Sequence, residues 1–387
     1  MRILHTSDWH LGRTFHRAGM LDAQAAFSDH LVDVVRAEKV DVVLVAGDVY
    51  DRALPGVDVV SLLDDTLARL SGTGTHVVMS SGNHDSARRL GFASRLLSAA
   101  RVHVRTEVGS CADPVVLEDR HGPVALYPLP YLEPGLVAAG LGTGRSHAAV
   151  LGSVMDAVRD DLAGRPAGTR SVVGAHAFVV GGTASDSERD ISVGGVPSVP
   201  AETFRDVDYV ALGHLHGRQR LREAVRYSGS PLPYSFSEVG QVKGSWLVEL
   251  GGSGLTRVDA VEAPVPRPLA VLSGELEPLL SDPGLARHEG SWCQVTLTDA
   301  ARPVDAMARV RVRFPHALEL RFAPAGRPAA AGRYAERIKG LDDLAVCRGF
   351  LDHVRGRPAD DAEAALFESA LEHTRRGDPE ETGVRRR

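Results

Sequence analysis

Seven side chains of metal-binding type stand in five short stretches of the chain, and all of them are oxygen or imidazole donors. The stretches are Ser7-Asp8-Trp9-His10, Gly47-Asp48, Gly82-Asn83-His84-Asp85, Ala175-His176 and Gly213-His214-Leu215-His216-Gly217. The candidate ligands are Asp8, His10, Asp48, Asn83, His176, His214 and His216. A donor set without thiolates suits hard or borderline divalent ions such as Mn²⁺, Mg²⁺, Fe²⁺ or Zn²⁺. Two such ions together activate water and stabilise an in-line displacement at phosphorus, which is the chemistry of a two-metal phosphoester hydrolase.

Each residue type has a reason to be there. Asp8 and His10 are two apart, a spacing that at a strand end aims both side chains to one side. Gly47 leaves room for close approach of an ion or a phosphate to Asp48. A buried aspartate must be paired, and one that bridges two cations is fully compensated. Asn83 offers a neutral carbonyl oxygen where another carboxylate would over-neutralise the metals. His176, His214 and His216 supply imidazole, the commonest transition-metal ligand. Taken singly, these are weak signals, since a lone Asp-x-His also reads as a helix cap beside a solvated histidine. All five in this order are specific.

The elements that must position these residues are legible around them. Residues 40–46 and 76–80 are short, valine-rich apolar runs that read as buried strands. Between them, Val59, Leu62, Leu63, Leu67 and Leu70 recur at helical spacing, as do Ala26, Phe27, Leu31, Val34 and Val35 earlier. Residues 171–174 and 208–212 predict two further strands, each ending in a histidine motif, and 246–250 with 255–261 predict a hairpin. Alternating strands and helices imply a layered α/β fold. The alternate prolines of Ala263-Pro264-Val265-Pro266-Arg267-Pro268 mark a linker. Beyond it, strands at 269–272, 292–297 and 317–322 and a helix over 303–312 predict a small α+β module. Helices over 341–354 and 361–374 follow, then a polar tail from Gly377. The expected domains are 1–263, 264–339 and 340–387.

The 387 residues are 43% hydrophobic and 24% charged, an ordinary soluble composition. Cys111, Cys293 and Cys347 are far apart and odd in number, so no disulfide framework is expected. No apolar run approaches the roughly 20 residues of a membrane span and no signal-peptide core opens the chain, so a cytoplasmic protein is expected. The net charge of −6 hides a switch near residue 340. Residues 301–339 carry nine basic against three acidic side chains, and residues 340–381 five against eleven. Two segments with different partners would explain it, and so would two ordinary solvated faces.

The motifs D-x-H, G-D, G-N-H-[DE], H and G-H-x-H resemble those of the calcineurin-like metallophosphoesterase superfamily. The resemblance implies a four-layer sandwich of central β-sheets flanked by helices. It implies one metal held by Asp8, His10, Asp48 and His216, and another by Asp48, Asn83, His176 and His214, with Asp48 bridging. His84 matches the family histidine that faces the scissile phosphate without binding metal, and Asp51 stands where several members place a carboxylate that orients it. The flanks choose among substrates. His5–Arg13, Ser185-Asp186-Ser187-Glu188-Arg189, Tyr227-Ser228-Gly229-Ser230-Pro231-Leu232, Phe236-Ser237-Glu238 and Lys243-Gly244 closely resemble nuclease subunits of the SbcD family, which work with SbcC-type SMC-like coiled-coil ATPases.

That resemblance implies a Mn²⁺-favouring DNA nuclease of repair, recombination and replication. It implies 3′→5′ exonuclease action on double-stranded ends and endonuclease action on single strands or hairpins. A homodimer with two ATPase subunits is implied the same way. The small module would cap the site and present DNA, with Arg309, Arg311, Arg313 and Arg321 tracking phosphates. Leu341, Leu344, Ala345, Phe350, Leu351, Leu366, Phe367 and Leu371 would dock the partner. ATP would bind the partner, since this chain has no G-x-x-x-x-G-K-[ST] loop. Two alternatives are a small-molecule or cyclic-nucleotide phosphodiesterase and a Ser/Thr protein phosphatase. Gly47-Asp48-Val49-Tyr50-Asp51-Arg52 resembles the phosphatases' G-D-x-V-D-R segment, but Ala53 replaces the glycine that follows there, and Asp85 stands where they carry glutamate.

Overall fold

The computed structural model describes residues 1–188, 198–324, 341–355 and 357–376. Arg189, the basic residues Arg327, Arg333, Arg337 and Lys339, and the tail from Gly377 lie outside the described residues. The chain divides into two compact units, Met1–Phe322 and Ala323–Arg387.

Two six-stranded sheets build the first unit. One runs in the order β12-β11-β1-β2-β3-β4, from β1 (Arg2–Thr6), β2 (Val42–Ala46), β3 (His76–Ser80), β4 (Val102–Arg105), β11 (Gly244–Gly251) and β12 (Gly254–Glu262). The other runs β5-β6-β7-β8-β10-β9, from β5 (Val115–Asp119), β6 (Gly122–Pro128), β7 (Arg170–His176), β8 (Tyr209–Gly213), β9 (Gln219–Arg220) and β10 (Val225–Tyr227). Alternation along each strand sorts the side chains between layers. Ile3, Val42, Leu44 and Val78 meet Val124, Leu126, Val172, Tyr209 and Ala211 between the sheets. Leu4, Val43, Val45, Val77 and Met79 turn outward on to Phe27, Leu31, Val35, Leu63 and Leu70 of the helices Leu21–Glu38 and Val57–Gly72. On the far side, Tyr127, Val173 and Leu212 pack against Val150, Leu151, Val154 and Val158 of the helix His147–Ala163. The order is helix, sheet, sheet, helix, as expected. Each such aliphatic side chain contributes roughly 1.5–3 kcal/mol on burial, so the strands are pinned in register from both faces.

Register decides where the motifs emerge. β1, β2 and β3 are parallel, with Thr6 opposite Val45 and Ala46 opposite Ser80. Asp8, Asp48 and Asn83 therefore leave the first sheet at one edge. In the second sheet His176 lies opposite Gly213, so His176 and His214 leave at its matching edge. Ligands in parallel α/β sheets gather at this carboxyl end of the strands.

A third sheet, β13 (Leu269–Gly274), β14 (Trp292–Leu297) and β15 (Ala317–Phe322), is parallel throughout, with the helices Leu276–Ser281 and Ala306–Arg313 in its crossovers. It is fastened near the metal-site edge by an apolar cluster in which Phe15, Met20, Leu232, Tyr234 and Phe236 receive Leu269, Trp292 and Leu318. Among the described residues of the second unit are the helices Asp343–Arg355 and Asp361–Arg376. Asp360 and Glu363 form a reciprocal capping box at the second, with Glu363 N–H donating to Asp360 Oδ1 at 3.0 Å and Asp360 N–H to Glu363 Oε2 at 3.1 Å. Of the apolar residues named for docking, Leu341, Phe350 and Leu366 are exposed and the other five are half-buried.

Candidate metal centre

The candidate ligands converge where the two sheets meet. Asp48 Oδ2 lies 3.4 Å from His176 Nε2, 3.6 Å from His10 Nε2 and 4.0 Å from His84 Nε2. His10 Nε2 and His216 Nε2 face each other at 3.0 Å, and Asn83 Oδ1 lies 2.9 Å from His176 Nε2. Asp8, His10 and His216 bring donor atoms within 4.8 Å of one another, as do Asp8, Asp48 and His176, and likewise His10, Asp48 and His84. His214 joins through its ring, whose centroid is 5.3 Å from that of His176, while its N–H donates to Asp8 Oδ1 at 3.0 Å. All seven expected ligand residues are brought together.

The backbone is bent to achieve this. Asp8, His10, Asp48 and His214 have φ of 53°, 45°, 51° and 102°, the left-handed region that side-chain-bearing residues rarely adopt. Such strain persists only where the surroundings over-determine it, typically at functional sites. Two motif glycines make the close approach feasible. A Cβ on Gly82 would sit 2.1 Å from Asp48 Oδ1, and one on Gly213 would sit 2.0 Å from the carbonyl oxygen of Ala46.

Charge and burial say what the cluster lacks. Asp8, Asp48, His10 and His216 are buried. Among the described residues neither carboxylate makes an ion pair with an arginine or lysine; Asp48 is approached only by histidines. Burial pushes the Asp8 carboxyl up to about 6, against the pull of His176 and His216. Burial opposes charging of His176, yet Asp48 raises it to about 9. Burial holds His214 down at about 3, with His176 adding to the effect. Groups so poorly matched to their surroundings are compensated when a cation enters, since an unpaired buried ion costs several kcal/mol. The spacing fits as well. Donor atoms about 3–3.5 Å apart are what bonds of roughly 2.1 Å to a shared ion produce. Among the described residues His10 Nδ1 finds no hydrogen bond although it is buried, while the Nε2 of the same ring faces the cluster. The residues fit divalent metal ions.

His84 sits at the rim of this cluster. Its N–H donates to Asp48 Oδ1 at 2.9 Å, and its Nδ1 is 2.8 Å from the main-chain oxygen of Asp51. The Asp51 carboxylate is farther off, 3.9 Å from His84 Nδ1 and 3.8 Å from both His10 Nδ1 and Arg13 Nε. The group of Asp51 that bonds His84 is thus its carbonyl. Asp85 ties the loops together, accepting from the N–H groups of Val49, Tyr50 and Gly82 at 2.9–3.0 Å.

Several participants had no role assigned from sequence. Ser7 donates to Asp8 Oδ2 at 2.5 Å, Tyr234 donates to the carbonyl of Trp9 at 2.7 Å, and Arg13 lies over the Tyr234 ring. Ser187, Glu238 and Lys243 surround His216. The sequence signal for Ser7, Arg13, Ser187, Glu238 and Lys243 was their place in the blocks shared with the nuclease family, and Tyr234 lay outside those blocks. The four arginines named for phosphate tracking are engaged locally. Arg309, Arg313 and Arg321 pair with Glu277, Glu289 and Glu319, and Arg311 donates to the carbonyl of Ala317.

Residues 1–218 match the family model of the calcineurin-like phosphoesterases, and residues 265–355 match the model described as the type 5 capsule protein repressor C-terminal domain. The chain belongs to the calcineurin-like phosphoesterase family, and its metal centre is that of a metal-dependent phosphodiesterase. Within that family it groups with the SbcD nuclease subunits. It is 35% identical over 288 residues to the SbcD subunit of the nuclease SbcCD from Escherichia coli strain K12, spanning 71% of this chain and 72% of that protein. The SbcD subunit from Escherichia coli O157:H7 matches at the same identity and coverage. A solved dimetal phosphatase from Danio rerio overlays 68% of this chain and 99% of its own at a TM-score of 0.39 and 15% identity.

Proposed function

We propose that this chain is the nuclease subunit of an SbcCD-type assembly that hydrolyses DNA phosphodiesters with two divalent metals, Mn²⁺ foremost. The observation that carries the reading is the convergence on Asp48 of buried imidazoles from both sheets, with no arginine or lysine paired to it among the described residues. Asp8, His10, Asp48 and His216 hold one ion, and Asp48, Asn83, His176 and His214 the other. The metals, when bound, lower the pKa of water and neutralise charge building on the phosphoryl oxygens.

The chain's own residues do the rest. The His84 ring, held through Nδ1 by the Asp51 carbonyl, presents Nε2 to the scissile group, where it stabilises the phosphoryl charge or protonates the leaving oxygen. Asp8 receives the N–H of His214 and thereby locks one sheet edge to the other. Residues 1–263 form the nuclease domain, 264–339 the cap that presents DNA, and 340–387 the segment that docks an SbcC-type ATPase. The activities are 3′→5′ exonuclease on duplex ends and endonuclease on single strands or hairpins, in DNA repair, recombination and replication in the cytoplasm. A homodimer with two ATPase subunits is the working assembly. Among the described residues no helix is long and apolar enough to cross a membrane.

The test is cleavage of labelled hairpin and blunt duplex DNA in Mn²⁺, beside a phosphopeptide and a cyclic nucleotide, with Asp48→Ala as control. DNA cut by the wild type alone is the expected result. Intact DNA with phosphopeptide or cyclic nucleotide hydrolysed would keep the metal centre and replace the substrate. Removing the residues after Lys339 should spare metal-dependent cleavage and abolish ATP stimulation by the partner. A truncated chain that still co-purifies with the ATPase would place docking elsewhere.

A further inference from the structure

Two imidazoles face each other across the cluster, His10 and His216, and their surroundings differ sharply. His10 Nδ1 has no hydrogen bond among the described residues. Every polar atom of His216 other than Nε2 is tied down. Its N–H donates to Glu188 Oε1 at 2.7 Å, and its carbonyl accepts from Lys243 Nζ at 2.9 Å and from the N–H of Ser230 at 3.1 Å. Its Nδ1 lies 2.6 Å from Ser187 Oγ. That hydroxyl in turn lies 2.5 Å from Glu238 Oε1, and the other oxygen of Glu238 is bound by Lys243 Nζ.

The direction of this chain follows from counting hydrogens. A serine hydroxyl has one proton to give. Glu238 and Lys243 are almost completely buried as an ion pair, and the ammonium keeps the carboxyl ionised. An ionised carboxylate only accepts, so the Ser187 proton points to Glu238. Ser185 Oγ, 2.9 Å from Ser187 Oγ, is within 2.7 Å of Glu188 Oε2 and does not alter this. Ser187 therefore meets His216 with a lone pair, and His216 Nδ1 must carry a hydrogen. The lone pair of the neutral ring is left on Nε2, which faces the metal cluster.

We propose that Ser187, Glu238 and Lys243 are positioning residues that fix the tautomer and orientation of His216 for metal binding, through a relay from a buried ion pair to a serine hydroxyl. The inference rests on the ligand set given above and deepens it. Outer partners of a ligating histidine set its tautomer and basicity, and losing one typically weakens metal affinity about 10–100-fold. The relay also couples distant chain. Ser187 belongs to a strap that Arg13 Nη2 holds through the Ser187 carbonyl at 2.6 Å, and Ser237 Oγ holds through the N–H of Asp186 at 3.0 Å.

The experiment is Mn²⁺ titration by calorimetry of the full chain as wild type, Ser187→Ala and His216→Ala, with ¹⁵N spectra of His216 in the metal-free wild type and Ser187→Ala. Ser187→Ala removes one oxygen and leaves the ion pair in place, so the fold should hold. The expected result is affinity at one Mn²⁺ site lower by about 10–100-fold, and an Nδ1–H ring in the wild type that becomes a tautomer mixture in the variant. Ser187→Ala binding Mn²⁺ as tightly as wild type, with His216→Ala weakened, would overturn the relay and leave the ligand set standing. His216→Ala binding as tightly as wild type would overturn the ligand set, and the relay with it. An Nε2–H ring in the wild type would overturn the relay directly.

Discussion

The two ends of the same strands handle buried charge in opposite ways. At the end where the strands begin, each charge has its partner. Arg170, 2% exposed, donates to both oxygens of Asp119 at 3.0 and 2.7 Å and to the carbonyls of Gly122 and Gly251. Bonded in this way, Arg170 draws the Asp119 carboxyl well below the usual range. At the end where the strands finish, Asp8 and Asp48 are buried as deeply, but among the described residues they meet imidazoles rather than guanidinium or ammonium groups. One end matches charge with charge inside the protein, although Arg170 Nε makes no hydrogen bond among the described residues, and it serves stability. The other is completed by metal and serves chemistry. Buried ionisable groups are informative through what is left unpaired, not through their number.

The largest effect that would break this contrast is on Asp48. Asp48→Ala should abolish cleavage, and added Mn²⁺ should no longer raise the thermal midpoint. The wild type should gain about 2.7 kcal/mol at Mn²⁺ 100-fold above its dissociation constant, read as a shift of several degrees by calorimetry. An unchanged shift in the variant would move the metals elsewhere. Next is His84→Gln, which should retain the Mn²⁺ stoichiometry of the wild type while the turnover rate falls about 100–1,000-fold. Loss of one bound ion would make His84 a ligand, a role its 4.0 Å approach to Asp48 allows geometrically.

Gly82→Ala sharpens the same end without replacing a ligand. Its Cβ would collide with Asp48 Oδ1, so metal affinity and rate should fall together, by about 10-fold or more, comparable to losing a supporting contact. Affinity equal to wild type would mean that the loop yields freely.

At the opposite end, Asp119→Asn should cost about 3 kcal/mol of stability, because Arg170 is left buried with an uncharged partner, while the rate per folded molecule is unchanged. The sign with pH follows from linkage. A carboxyl lowered on folding contributes stability above its unfolded pKa near 3.9, and loses it as pH falls through the folded value. The gap in thermal midpoint between wild type and Asp119→Asn should therefore be constant near neutrality and narrow progressively below about pH 4. A gap that does not depend on pH would assign the loss to packing.

Much of the first unit was legible because its signals are local. Short apolar runs between turns place β2, β3, β7 and β8, and each leads into a motif, so strand and candidate ligand announce each other. β5, β6 and the helix His147–Ala163 lie outside the expected elements. They carry no ligand, and the helix is recognisable mainly through Ser146, whose Oγ accepts from the N–H of Ala149 at 3.1 Å. The reading of Arg309, Arg311, Arg313 and Arg321 as phosphate contacts came from residue types, which do not reveal their neighbours. Glu277 and Glu289 are more than twenty residues from the arginines they pair with, beyond any pattern of composition.

The sequence by itself determined the candidate donor types, their order and the layered α/β class, because donor chemistry is written in residue identity and element type in short periodicity. Only the tertiary structure decided that His176 and His216 share a cluster with Asp48 and His10, since the two sheets meet through contacts more than a hundred residues apart. It alone decided that Asp51 reaches His84 by its carbonyl rather than its carboxylate. It alone placed Ser187 between His216 and Glu238. Those outcomes depend on distances of a few tenths of an ångström between side chains remote in sequence, and packing sets such distances.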